Sequence, residues 1–205
     1  VREAVFLAGL LIDFEGIDFS GKGTQVALLE KGLPGLTAAS LHFPVLETRT
    51  GRVIEDFLAG RVHLAPDVLQ MLYSANRYEL KERVLALSRE VDVLILDRWC
   101  PSGWAYGMAL GLEEAWLRNL DAGLPQAGLT ILLDLSPEAA AARRGAAGQD
   151  VLERDPAFQE RVRRAYAHLA AAGGWAVVDA LGKARDVHEK VLAQVRNLVS
   201  RQGKP

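Results

Sequence analysis

Short apolar runs alternate along this chain with longer stretches that repeat their apolar residues every three or four positions. Leu10 to Phe14, Leu41 to Phe43, Val91 to Leu96, Leu129 to Leu135 and Trp175 to Asp179 read as strands. The third and fourth are almost continuously apolar, as strands covered on both faces are. Pro44 ends the second, Ser136-Pro137 stops the fourth, and Gly173-Gly174 precedes the fifth. Between them the spacing predicts helices over Gln25–Gly32, Gly51–Leu58, Pro66–Arg89, Glu113–Leu120, Pro137–Arg144, Pro156–Ala171 and Arg185–Ser200. Strand and helix in repeated alternation predict an α/β protein with a parallel sheet flanked by helices on both faces.

With 205 residues, no internal repeat and no dividing linker, the chain is expected to form one domain over 1–205. A formal net charge of −2 argues against electrostatic binding of nucleic acid. The run Val5 to Ile12 is too short to span a bilayer, and Val1-Arg2-Glu3 lacks the pattern of a signal peptide. The single cysteine, Cys100, excludes an internal disulfide and fits a reducing, cytoplasmic setting. Followed by Pro101, it is expected in a loop and without a reactive role.

The first strand runs straight into Gly16-Ile17-Asp18-Phe19-Ser20-Gly21-Lys22-Gly23-Thr24, and a helical pattern follows. A strand, a glycine-rich turn ending in Gly-Lys and a helix make a phosphate cradle. Its glycines allow backbone angles that turn successive N–H groups inward, Lys22 adds a point charge, and the helix presents its positive end. Gly23 stands where that motif has the Ser or Thr whose hydroxyl binds Mg²⁺, which leaves Thr24 next door as the hydroxyl for the metal. In open parallel sheets, ligands sit beyond the carboxyl ends of the strands. The strand at Val91 to Leu96 ends in Asp97-Arg98, an acid placed to hold Mg²⁺ and a guanidinium that can fork onto phosphate; a strand-end salt bridge is the plainer alternative.

Phe14-Glu15-Gly16-Ile17-Asp18, Tyr73-Ser74-Ala75-Asn76-Arg77 and Asp97-Arg98-Trp99, in that order, resemble the thymidylate kinases. The likeness continues through Pro101 to Tyr106, Gly123-Leu124-Pro125, Leu133-Asp134-Leu135 and Ala157 to Arg161. Only Gly21 to Gln25 is spelled as in adenylate kinases. The resemblance implies a P-loop nucleoside-monophosphate kinase fold with a five-stranded parallel sheet and a lid, here over 145–154. It implies transfer from ATP to dTMP with Mg²⁺, and a homodimer. Residue by residue, it implies that Asp18 meets the sugar 3′-hydroxyl, Tyr73 stacks on thymine and Arg77 bonds the base edge. Arg98 would clamp the dTMP phosphate, Tyr106 would disfavour a 2′-hydroxyl, and Ser102 and Gly103 would line the same wall. On residue pattern alone, Tyr73 and Tyr106 read as core, and Arg77 as a solvated helix pair with Glu79 or Glu82.

Three charged positions of the family are altered. Phe19 replaces a basic residue or glycine of the loop, Leu46 replaces an arginine two residues after Phe-Pro, and Val151 replaces a lid arginine. The cation for the moving phosphate is therefore expected from Arg143, Arg144 or Arg154, with Arg144 the first choice for ATP and Arg154 the second, while Arg49 offers a substitute for Leu46. These losses leave open a kinase for another deoxynucleoside monophosphate, or a nucleotide-binding relative with weak transfer.

Overall fold

Leu10–Glu15 forms strand β1, all six residues buried, at the centre of the molecule. The computed structural model describes residues 9–145 and 150–201. The other strands are β2 (Ala38–His42), β3 (Val93–Asp97), β4 (Leu129–Asp134) and β5 (Ala176–Asp179). They form one parallel sheet in the order β2-β3-β1-β4-β5. Asp13 pairs in register with Leu96, and Phe14 with Asp97, so the ends of β1 and β3 lie side by side. Connections after β1 and β3 leave to opposite sides of that pair, which is where such sheets open a ligand crevice.

The helices are α1 (Lys22–Lys31), α2 (Arg49–Leu58), α3 (Pro66–Glu79), α4 (Lys81–Glu90), α5 (Cys100–Ala109), α6 (Glu114–Leu120), α7 (Pro137–Arg144), α8 (Pro156–Gly173) and α9 (Ala184–Arg201). α1 packs on α9, and α5 packs on α8, α3 and α6. The main core is built from the sheet, with Leu29, Trp104, Val162, Tyr166 and Val191 closing on it from the helices.

Two sequence expectations change. Pro66–Arg89 is not one helix: α3 ends at Glu79, and Leu80, at φ −98° and ψ −1°, separates it from α4 without any Pro or Gly to mark the break. Cys100 is not in a loop but opens α5, with Pro101 in the first turn, where its missing N–H costs nothing. That helix is buried almost all round, so it carries no amphipathic stripe to announce it. Gly103 and Gly107 allow the close approach: a Cβ on Gly103 would lie 2.7 Å from Arg77 Nη2, and one on Gly107 would lie 2.5 Å from Leu117 Cδ2. Residues 1–8 and 146–149, the latter within the expected lid, lie outside the described residues.

Candidate nucleotide site

Gly16 opens the turn after β1 at φ +141°, and a Cβ there would stand 2.6 Å from Leu133 O. Gly21, at φ +102°, precedes the first turn of α1, and Gln25 N bonds back to Gly21 O at 3.0 Å. From Asp18 through Thr24 the loop lines a cavity of about 500 Å³, closed on its other sides by His42, Asp97, Arg98, Arg143 and the turn Ala180 to Ala184. Ile17 points into the core instead, 2 % exposed.

Lys22 is buried, and its Nζ donates to Gly16 O at 3.0 Å and Ile17 O at 2.9 Å. Burial and the neighbouring Arg98 charge push its amine down to about 8, against Asp18, Asp97 and Glu15, which favour the ammonium. At neutral pH that displacement costs the fold about 3 kcal/mol. Asp97 Oδ2 faces His42 Nδ1 at 3.4 Å, while Oδ1 is buried with no hydrogen-bond partner. Burial opposes its ionisation, but the His42 hydrogen bond and the charges of Lys22 and Arg98 prevail and hold its carboxyl below the usual range. A Cβ on Gly23 would meet Asp97 Oδ2 at 3.8 Å, an ordinary contact, so position 23 has room for the missing hydroxyl.

A second cavity, of about 410 Å³, lies beyond the ends of β2 and β3. Its wall includes Phe43, Leu46, Leu58, Gln70, Tyr73, Arg77, Ser102, Gly103, Tyr106 and Leu152. Asp18, His42 and Arg98 belong to both cavities. Arg98 takes the left-handed region at φ 69°. Its Nη1 donates to Gly16 O at 3.1 Å, Ser102 Oγ at 3.1 Å and Tyr166 OH at 3.2 Å, and its Nη2 pairs with Asp18. Asp18 also accepts from Tyr106 OH at 2.7 Å. Burial raises the Asp18 pKa, but Arg98, Lys22 and the Tyr106 hydroxyl outweigh it and bring it down to about 2. Arg77 is not a solvated helix residue: Nε and Nη2 grip Asp121 at 3.2, 3.0 and 2.9 Å, both side chains buried. Asp121 is held in turn by Ser74 Oγ at 2.8 Å and Trp104 Nε1 at 3.1 Å.

Behind both cavities, Glu15 accepts from Trp99 N and Ser102 N at 3.0 Å each, Ser102 Oγ at 2.6 Å and Tyr166 OH at 2.8 Å. Sequence reasoning gave no role to Glu15, Asp121, Tyr166 or His42. Only Glu15 left a signal, an acid at the end of an apolar strand. Among the arginines, Arg143 meets the phosphate loop: Nη1 donates to Ser20 O at 3.0 Å, and Nη2 to Ala180 O and, at 3.4 Å, to Gly182 O. Arg144 and Arg154 line neither cavity, and Arg49 sits exposed at the start of α2, outside the wall it was expected to complete. The described part of the lid is docked, with Val151 N on Leu58 O at 3.2 Å and Gln159 Nε2 on Leu152 O at 2.8 Å.

The model of the family described as thymidylate kinase matches residues 14–191. The thymidylate kinase of Caenorhabditis elegans is 33 % identical over 202 residues, covering 93 % of this chain and 91 % of its own length. That of Schizosaccharomyces pombe is 34 % identical over 197 residues, covering 93 % of each. Among solved structures, thymidylate kinase from Candida albicans superposes with a TM-score of 0.75 at 28 % identity, covering 95 % of this chain and 92 % of that one.

The buried lysine gives a first test. Lys22→Met is expected to lower phosphoryl transfer at least ~10²-fold, yet to melt no lower than the parent at pH 7, because the penalised ammonium is gone. An amine lowered to about 8 binds fewer protons folded than unfolded, so the parent gains stability as pH rises from there towards 10. The variant lacks that gain. Thermal melts from pH 7 to 10 check both; a variant that melts well below the parent at pH 7 sinks the argument.

Proposed function

Because the chain belongs to the thymidylate kinase family, and so transfers a phosphoryl group from ATP to dTMP, we propose that ATP occupies the cavity over the phosphate loop and dTMP the cavity over Tyr73. The supporting observation is the shared wall: Asp18, His42 and Arg98 border both spaces, so donor and acceptor phosphates would meet there. Lys22 and the amides of Ser20 to Thr24 hold the ATP phosphates. Arg98, the permanent cation of the shared wall, receives the acceptor phosphate. Tyr73 stacks on thymine. The Nη1 arm of Arg77, left over from Asp121, bonds the base edge, with Gly103 leaving the space. Asp18 accepts from the sugar 3′-hydroxyl, and Tyr106, hydrogen-bonded to Asp18, crowds the 2′ position.

The residues present suit Mg²⁺: Asp97 offers a buried carboxylate oxygen with no donor of its own, and Thr24 lies in the same cavity. One carboxylate with a hydroxyl, phosphates and water is the habitual set for this ion, which supplies charge neutralisation at the phosphates. An acceptor phosphate oxygen attacks the γ-phosphorus in line, the bond to the β,γ-bridging oxygen breaks, and ADP leaves. No strong general base is required, so the protein contributes position and charge. Arg143 takes the part of the cation missing at Phe19, with Arg144 at the end of α7 and Arg154 at the end of the lid. The same reading treats residues 1–205 as one domain whose lid spans 145–154, and places the protein in the cytoplasm, supported by its one buried free cysteine. No helix among the described residues is long and apolar enough to cross a membrane.

Coupled ADP release with ATP and Mg²⁺ should be faster with dTMP than with dCMP, dGMP or AMP; equal turnover of AMP would contradict the acceptor assignment. Arg143→Ala should raise KM for ATP about tenfold, the worth of one charge-assisted contact, and KM for dTMP by less; an unaltered ATP constant removes Arg143 from the site. We further propose a homodimer through α2 and α3, whose exposed Val53, Val68 and Met71 support it. Sedimentation velocity at micromolar concentration should show the dimer mass, and a single monomeric boundary would refute it.

A further inference from the structure

Helix α3 carries polar side chains inward along one face, and the fold satisfies nearly all of them. Asn76 Oδ1 accepts from Val45 N at 3.0 Å, and its Nδ2 donates to Val45 O, Thr48 Oγ1 and Thr50 Oγ1 at 3.0, 2.9 and 3.1 Å. Ser74 and Arg77 share Asp121. Gln70 is the exception. It is 1 % exposed, and neither its Oε1 nor its Nε2 meets a hydrogen-bond partner. It stands in the wall of the Tyr73 cavity, whose lining also includes the apolar Leu46 and Leu58. Positions 70, 73 and 77 fall on one helical face, one and two turns apart, so the amide continues the row that Tyr73 and Arg77 begin.

An unpaired buried amide is destabilising, and a Leu or Met would fill a similar volume without that cost. Native chains satisfy such groups almost everywhere, and the exceptions gather where a ligand completes them. We propose that Gln70 is a base-reading residue of the acceptor site, completed by the imide edge of the pyrimidine. A primary amide presents one acceptor and one donor side by side. The imide of thymine presents the complement: N3–H donates to Oε1, and the adjoining carbonyl accepts from Nε2. Arg77 offers donors only, so it can read a carbonyl but not the N3–H. Gln70 therefore supplies the one acceptor the base edge needs, and the pair together distinguish an imide from an amino-substituted ring. A cytosine edge, with an amino group and an unprotonated N3, could turn the amide over but would set its amino hydrogens against Arg77.

This inference rests on the cavity being the dTMP site, and the experiment separates the two. Steady-state kinetics with dTMP and with its N3-methyl analogue are measured for the parent, Gln70→Met and Tyr73→Ala, with thermal melts of each. The parent should prefer dTMP over the N3-methyl compound by tenfold or more. Gln70→Met should raise KM for dTMP about tenfold, narrow the preference between the two substrates to a few-fold, leave KM for ATP in place, and melt at or above the parent. If Gln70→Met keeps the parent's KM and preference while Tyr73→Ala weakens dTMP, the Gln70 assignment is wrong and the site stands. If neither variant changes dTMP binding, the cavity is not the acceptor site and both readings fall. Should Gln70→Met fold poorly, Gln70→Leu is read in its place. A parent that turns over the N3-methyl compound as well as dTMP overturns the proposal without any variant.

Discussion

A single buried carboxylate ties the working parts together. Glu15, at the end of the central strand, has no exposure and accepts from two backbone amides and two hydroxyls that belong to the β3–α5 turn, α5 and α8. Burying a carboxylate is tolerable only when its lone pairs are met, and burial still raises its pKa against the opposing pull of Arg98, Ser102, Trp99 and Tyr166. The bond from Trp99 N fixes the residue after Arg98. Arg98 N is held by Phe14 O at 3.0 Å on the other side. Between those anchors Arg98 is confined to a left-handed backbone that a side chain adopts at a cost of about 1–3 kcal/mol. The strain is what aims a guanidinium from the edge of a strand back over the phosphate loop.

Charge in the site is balanced by the same economy of placement. Asp18 and Asp97 line the cavity over the phosphate loop together with Lys22, Arg98 and His42. Arg98 is paired with Asp18, and Lys22 donates to loop carbonyls. On the proposed assignment, phosphates entering this site would meet cations already oriented, leaving little reorganisation for the reaction itself. Phe19 shows the cost of departing from this plan. It too sits in the left-handed region, at φ 60°, where glycine would be unstrained, and its ring packs on the core rather than carrying charge to the phosphates. Arg143 reaches the loop from α7 instead, and by holding Ser20 O and the turn after β5 it couples the loop to the opposite wall of the same cavity.

Much of this was legible in the chain because the signals were local. The apolar runs found all five strands of the sheet, and glycine spacing after β1 found the loop. Lys22, Asp97 and Arg98 could be named because strand ends in a parallel sheet converge. The buried helix α5 escaped, since a helix apolar on every side has no periodicity to show, and so did the break at Leu80, which no residue type marks. The partners of Arg77 and Arg98 escaped for another reason. Asp121 and Tyr166 lie 44 and 68 residues away from them, and nothing in a sequence pairs a polar side chain with a partner at that distance. The placement of Arg143 rather than Arg144 against the loop is a difference of one position at the end of a helix, about 100° of rotation. Composition cannot resolve it.

Asp13 extends the argument one step inside the sheet. It lies two residues before Glu15, hence on the same face of β1, and both of its carboxylate oxygens are buried without a donor. Burial first, then the charges of Glu15 and Asp97, push its pKa well up, with Arg77 pulling weakly the other way. The group for which Asp13 is the nearest complement is Glu15, a carboxylate that can accept from a protonated neighbour but never donate to an ionised one. A neutral Asp13 relieves repulsion in the strand that carries the phosphate loop, where Glu15 and Asp97 already bring negative charge. The four donors around Glu15 can then be organised by a single anion. Burial and the neighbouring carboxylates thus favour the protonated acid at position 13, beside Glu15 on the same face of the strand.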